Sequence, residues 1–163
     1  MRKKHTLFLN VVLLAAIVLV AVPVSAQENA ADNMQIVLEK IRADKKLMVA
    51  ENMQLTEAEA KTFWPVYERY QDELFLIRAR TIKMLGDYAD AYEKMTNDIA
   101  RKLLDEFIQI ETLQLKLHKA YLPKFRKVLG DTKVARYYQI ENKIQAALLY
   151  ELARKIPLVK TNQ

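Results

Sequence analysis

The side chains best equipped for chemistry are three carboxylate pairs, Glu57/Glu59, Asp72/Glu73 and Asp105/Glu106, and the lone histidine beyond residue 26, His118. Paired carboxylates do acid–base work when both face one substrate and a dry pocket raises one pKa. These pairs are one or two residues apart in stretches of helical period, so their members do not face each other. They read as surface charge. His118 stands between Leu117 and Lys119, with Gln114, Leu115, Tyr121 and Leu122 one turn away. Zinc or nickel needs three or four ligands, so His118 reads as a partly buried hydrogen-bonding histidine. The chain has no cysteine, which removes disulfides, thiolate nucleophiles and thiolate metal sites. It also lacks a Ser/His/Asp arrangement and a Gly-rich phosphate loop. The expectation is a protein with no catalytic, cofactor or metal site.

The elements around these residues are helices. Leu55-Thr56-Glu57-Ala58-Glu59 is a start signal: Thr56 caps the first turn and Glu59 reaches back to it, a capping box. Apolar positions then run Phe63, Tyr67, Tyr70, Leu74, Ile77, Met84, Tyr88 and Ala91, with Thr81 the one polar place in a seam of alternating fours and threes. The helix is expected from Thr56 to about Glu93, passing through Gly86 because the seam stays in register there. Met95-Thr96-Asn97-Asp98 opens a second long helix, from Thr96 to about Leu129. It carries two apolar stripes, Leu103, Phe107, Ile110, Leu117, Tyr121 and Leu104, Ile108, Leu115, Leu122, Phe125. Such a helix touches two partners, or one partner and a second subunit.

The remaining chain fits around this pair. Arg2, Lys3 and Lys4, the apolar run 7–22 and the small residues Val24-Ser25-Ala26 read as an export signal cleaved after Ala26. This 16-residue run, broken only by Asn10, falls short of a membrane span, so a periplasmic location is expected over a retained anchor. Removing it takes three bases and no acid, leaving 23 bases against 20 acids and a net charge of +3. That balance and the exported location set nucleic acid aside. Residues 27–33 read as flexible, 34–156 as one helical domain and 157–163 as a tail. A first helix, capped by Asp32 or Asn33, presents Met34, Val37, Leu38, Ile41 and Met48 inward and ends near Asn52. Glu39, Lys40, Arg42, Asp44 and Lys45 form its solvated face. Gly130 is placed to end the third helix in a left-handed conformation and Asp131 to cap the fourth. The fourth turns Val134, Tyr137, Tyr138, Ile144, Leu148 and Leu152 inward, with Arg136, Glu141 and Lys143 solvated. With two glycines and four prolines in the chain, an all-α fold is expected.

Pro65 and Pro123 both fall inside helical patterns, where each removes a backbone bond and bends the helix. Pro65 is 29 residues before Lys94 and Pro123 is 29 after it. In an antiparallel hairpin turning at Lys94-Met95 the two bends stand level, which predicts a long, bent hairpin with a concave side.

An exported helical chain with two Leu-Thr-x-x-Gln elements, each opening a helix, resembles the Spy/CpxP family of periplasmic chaperone-like and stress-sensing proteins. Here the elements are Leu55-Thr56 with Glu59 in the Gln position, and Met95-Thr96 with the Gln lost. The resemblance implies a thin, curved, four-helix protomer, a homodimer, that holds unfolded protein clients on a concave face without nucleotide. Leu55, Thr56, Glu59, Met95 and Thr96 then act by capping and packing. The family's histidine-using metal sensors are a poor match to a mature chain whose single histidine is His118.

Candidate partner-binding residues come from the residue pattern. Trp64 lies off the seam beside Pro65, where an aromatic side chain can anchor a partner; the row it belongs to, with Phe63, Tyr67 and Tyr70, also suits a core. Lys124, Arg126 and Lys127 supply a charged rim. Arg136 and Tyr137 offer a dimer or client contact, against the plainer expectation that Tyr137 points inward. The leading expectation is a non-enzymatic periplasmic protein binding unfolded or envelope-protein segments. Its rivals are a sensory partner of a membrane signalling protein and, with the leader retained, a membrane-associated coiled coil.

Overall fold

A computed structural model describes residues 27–161, and side chains over 40–161. The export signal, its cleavage site after Ala26 and the side chains of Met34, Val37 and Leu38 lie outside the described residues. The described chain is all-α: α1 (Gln27–Met53), α2 (Glu57–Ala91), a short 3-10 turn (Tyr92–Lys94), α3 (Asn97–Val128) and α4 (Asp131–Lys155). Among the described residues there is no strand, and no helix is long and apolar enough to cross a membrane.

Two compact units divide the described chain, residues 55–134 with 158–161, and residues 27–54 with 135–157. The first holds the hairpin of α2 and α3. Thr56 accepts a bond from the Glu59 N–H at 3.3 Å, and the Thr56 N–H donates to Glu59 Oε2 at 2.8 Å. The capping box is therefore complete. Thr96 caps α3 alone, accepting from the Ile99 N–H at 3.3 Å. The helix runs through Gly86 to Ala91 and tightens into the 3-10 turn, and Met95 is extended.

The hairpin core is aromatic. Phe63, Tyr67, Tyr70 and Leu74 of α2 are buried, as are Ile110, Leu117, Tyr121 and Phe125 of α3. Ring centroids of Phe63 and Phe125 are 5.8 Å apart, and those of Tyr70 and Tyr121 5.3 Å. Burial of each such side chain contributes about 1.5–3 kcal/mol. The same contacts fix register. Phe63 faces Phe125; Tyr70, one heptad on, faces His118, one heptad back. Pro65 and Pro123, both inside their helices, therefore stand level.

The helix ends depart from expectation at three points. Gly130 is not left-handed. Leu129, buried and extended, makes the turn instead, and its N–H donates to the Phe125 carbonyl at 2.9 Å. The Gly130 carbonyl accepts from the Lys133 and Val134 N–H groups at 3.0 Å, so Gly130 occupies the cap position of α4 and Asp131 the first helical one. α1 ends at Met53, close to the expected Asn52, and is followed by Gln54 with φ 50°, the left-handed position that a glycine usually fills. It also begins at Gln27, taking in the residues expected to be flexible; nothing between Gln27 and Met34 breaks a helix, and Glu28, Ala30 and Ala31 favour one.

The second unit pairs α1 with most of α4. Val49 and Met53 are buried on α1, Tyr137 and Ile144 on α4. Two residues expected in water are in this core. Lys45 is 2% exposed and Glu141 8%, and Lys45 Nζ donates to Glu141 Oε2 at 2.6 Å. Position decides this. Lys45 is four residues from both Ile41 and Val49, and Glu141 four from Tyr137 and three from Ile144, so both lie on the inward stripes of their helices. An opposite charge at bonding distance compensates each.

Candidate protein-interaction surface

The two apolar stripes of α3 have different fates. The first is covered: Ile110, Leu117 and Tyr121 are buried against α2, with Leu103 half-buried. The second is mostly bare. Leu104 is 61% exposed, Ile108 55% and Leu115 54%; Leu122 is half-buried and only Phe125 is in the core. Phe107, expected on the first stripe, is also exposed.

α2 adds to this surface. Phe75 and Ile82 are exposed, each directly following a seam residue, Leu74 or Thr81. On α3, Leu104 and Phe107 follow the inward-facing Leu103 and Glu106 in the same way. One step beyond the seam is roughly a quarter-turn round the helix, and in an antiparallel pair that sense of rotation leads both helices to one face. Phe75, Ile82, Leu104 and Phe107 thus border one side of the hairpin, and Ile108 and Leu115 extend it over the back of α3. Exposed apolar side chains gathered on one face are the kind of surface on which proteins meet partners.

One member of each carboxylate pair, Glu59, Glu73 or Glu106, makes a structural bond across the fold. Glu59 completes the cap and also accepts from Lys133 Nζ at 2.5 Å. The Lys133 bond, followed by the Thr56 N–H, holds its carboxyl down at about 2. Glu106 takes Arg80 in a forked pair, at 2.9 Å to Nε and 2.7 Å to Nη2. That bond lowers the Glu106 pKa and raises that of Arg80. Glu73 accepts from the Tyr121 hydroxyl at 2.6 Å. Burial first, and this bond second, push Tyr121 up to about 12. His118, half-buried, packs its ring 6.2 Å from that of Tyr70. Among the described residues no group of three or more His, Cys, Asp or Glu side chains could hold a metal ion.

The residues singled out from the pattern are spread widely. Trp64 is half-buried, its ring edge-on to Phe63 at 5.1 Å and Tyr67 at 5.2 Å, which makes it a border to the core more than a free anchor. Lys124, Arg126 and Lys127 are exposed on α3. Lys124 Nζ lies 3.8 Å over the Tyr121 ring, and Arg126 Nε donates to Asp131 Oδ1 at 2.7 Å. Arg136 is exposed, and its Nε donates to the Asn52 carbonyl at 2.5 Å, satisfying the C-terminal end of α1. Tyr137, offered as a contact residue, is 0% exposed. Its helical position turns it inward, so it has no surface to give a partner. The bare Leu104–Leu115 row was missed as a site, although two apolar stripes on one helix were its signal. Compared with protein-family models, with curated proteins and with solved structures, the chain matches none of them.

Proposed function

We propose that this chain is a non-enzymatic periplasmic protein of the Spy/CpxP type that holds unfolded or envelope-protein segments. The observation that carries the reading is the exposed apolar row Leu104, Ile108 and Leu115, with Phe107, Phe75 and Ile82 beside it, on a hairpin whose aromatic core is already filled. A client's apolar side chains leave water on that row. Each loses only part of its hydrated surface against an open helix face, so binding is weak enough to release without nucleotide. Surface cations such as Lys124, Arg126 and Lys127 speed encounter with acidic clients. Level prolines on the two helices would bend the hairpin as a unit and give the face a hollow side.

Light scattering from a chemically denatured substrate diluted into buffer tests the proposal. Suppression of aggregation is expected at about one protomer per substrate chain; no suppression at several-fold excess refutes it. Failure to suppress, together with tight binding to one membrane protein, is the result expected of a sensory partner.

A further inference from the structure

The bare row on α3 does not end at Leu115. Leu104, Ile108, Leu115, Lys119 and Arg126 follow one another at spacings of four and seven and share one stripe of the helix. All five are exposed. From Leu104 to Leu115 the stripe is mainly apolar, with exposed Glu111 between Ile108 and Leu115 and exposed Arg101 one turn before Leu104; from Lys119 on it is cationic, with exposed Lys116 and Lys127 beside it. Between Glu111 and Asp131 the sequence holds five basic residues and no acid. Of the nearby acids, Asp105 and Glu111 lie along the apolar half and Asp131 already pairs with Arg126 Nε at 2.7 Å, so Lys119, with Lys116 and Lys127, carries most of the cationic half.

We infer that this stripe binds polypeptide segments in which a block of apolar residues adjoins a block of acidic ones, in either chain direction. The inference rests on the holding function proposed above and narrows its ligand. Leu104 to Arg126 spans about 33 Å at 1.5 Å per residue. An extended chain covers that length in about ten residues, at roughly 3.3 Å each, so about five apolar residues and five bearing carboxylates match the halves. A peptide of the same composition with the two kinds interleaved lays carboxylates over Leu104, Ile108 and Leu115, where they lose water and gain no partner. A membrane fits less well. Helices that lie on anionic lipid carry cations beside the apolar face along its whole length, whereas here exposed Glu111 lies among the apolar residues and most of the helix's cations lie beyond Leu115.

The test is fluorescence anisotropy of labelled ten-residue peptides titrated with the full chain at low and high salt. The peptides are apolar–acidic blocks in both directions, an interleaved version of equal composition, and an apolar–basic block; vesicles of anionic lipid are titrated alongside. The block-acidic peptides should bind about tenfold tighter than the others at low salt, the sum of a few surface charge pairs, with the margin shrinking as salt rises. Lys116→Glu with Lys119→Glu should reverse the preference toward the basic block at an unchanged melting temperature. Equal binding of block and interleaved peptides overturns the inference, as does equal binding of acidic and basic blocks, or binding to vesicles with no preference among peptides. Suppressed aggregation without peptide discrimination defeats the ligand inference alone; loss of both defeats the holding function.

Discussion

Replacing Glu141 by Gln removes the negative charge that answers Lys45 while leaving the shape of the core almost unchanged. At 2.6 Å and an effective dielectric constant of about 20, the pair attracts by roughly 6 kcal/mol. Desolvating the two ions costs several kcal/mol each, so the intact pair is close to neutral relative to an apolar pair of the same size. The single variant loses the attraction and keeps the cost, because Lys45 stays where only 2% of its surface meets water. The expected destabilisation is about 3–5 kcal/mol. The double variant Lys45→Met with Glu141→Leu should return to wild-type stability or exceed it by about 1–4 kcal/mol. Urea unfolding followed by far-ultraviolet circular dichroism measures both. A single variant costing under about 1 kcal/mol would mean that the Lys45 ammonium reaches water in solution. A double variant less stable than the single one would contradict the reasoning outright.

The two hairpin caps are unequal. Thr56→Ala should cost about 1–2 kcal/mol and Thr96→Ala about 1 kcal/mol or less, since only Thr56 also receives the Glu59 carboxylate; equal losses in denaturant unfolding would count against the box. The Glu59 carboxyl should titrate near 2 by carbon NMR, against 4.5 ordinarily. Because its folded pKa is depressed, its contribution to stability is whole above about 4.5 and is lost as pH falls toward 2; a midpoint near 4.5 would show both the Lys133 contact and the Thr56 bonds absent. Gly86 lies in mid-helix with open space where a Cβ would stand. Gly86→Ala should therefore raise stability by about 0.5–1 kcal/mol, and a lower melting temperature would mean that the helix breaks there.

Much of the hairpin is legible from residue order, because its signals are local and agree. The Thr56 cap, the four-and-three seam and the matched prolines each call for the same antiparallel pair, and Phe63 against Phe125 gives the register the prolines require. What residue order hides is position overriding type. Lys45 and Glu141 look like surface charges until their places on the inward stripes are counted, and only the opposite helix supplies the compensating charge. Gly130 shows the reverse. A glycine after a helix suggests a left-handed turn, yet buried Leu129 turns the chain by itself. The exposed apolar face is half visible. Periodicity reveals that α3 has a second apolar stripe, but not whether anything covers it, since that depends on neighbours far along the chain. The cross-helix bonds made by Glu59, Glu73 and Glu106 are likewise set by partners on other segments, which spacing along one helix does not contain.

The most direct test of the holding function compares the wild-type chain with the triple variant Leu104→Gln, Ile108→Gln, Leu115→Gln in an aggregation-suppression assay, with melting curves recorded in parallel. These three side chains are exposed, so the variant should keep its melting temperature within a few degrees while losing most of its suppression. Full suppression by a folded variant would contradict the central claim that this row is where clients are held.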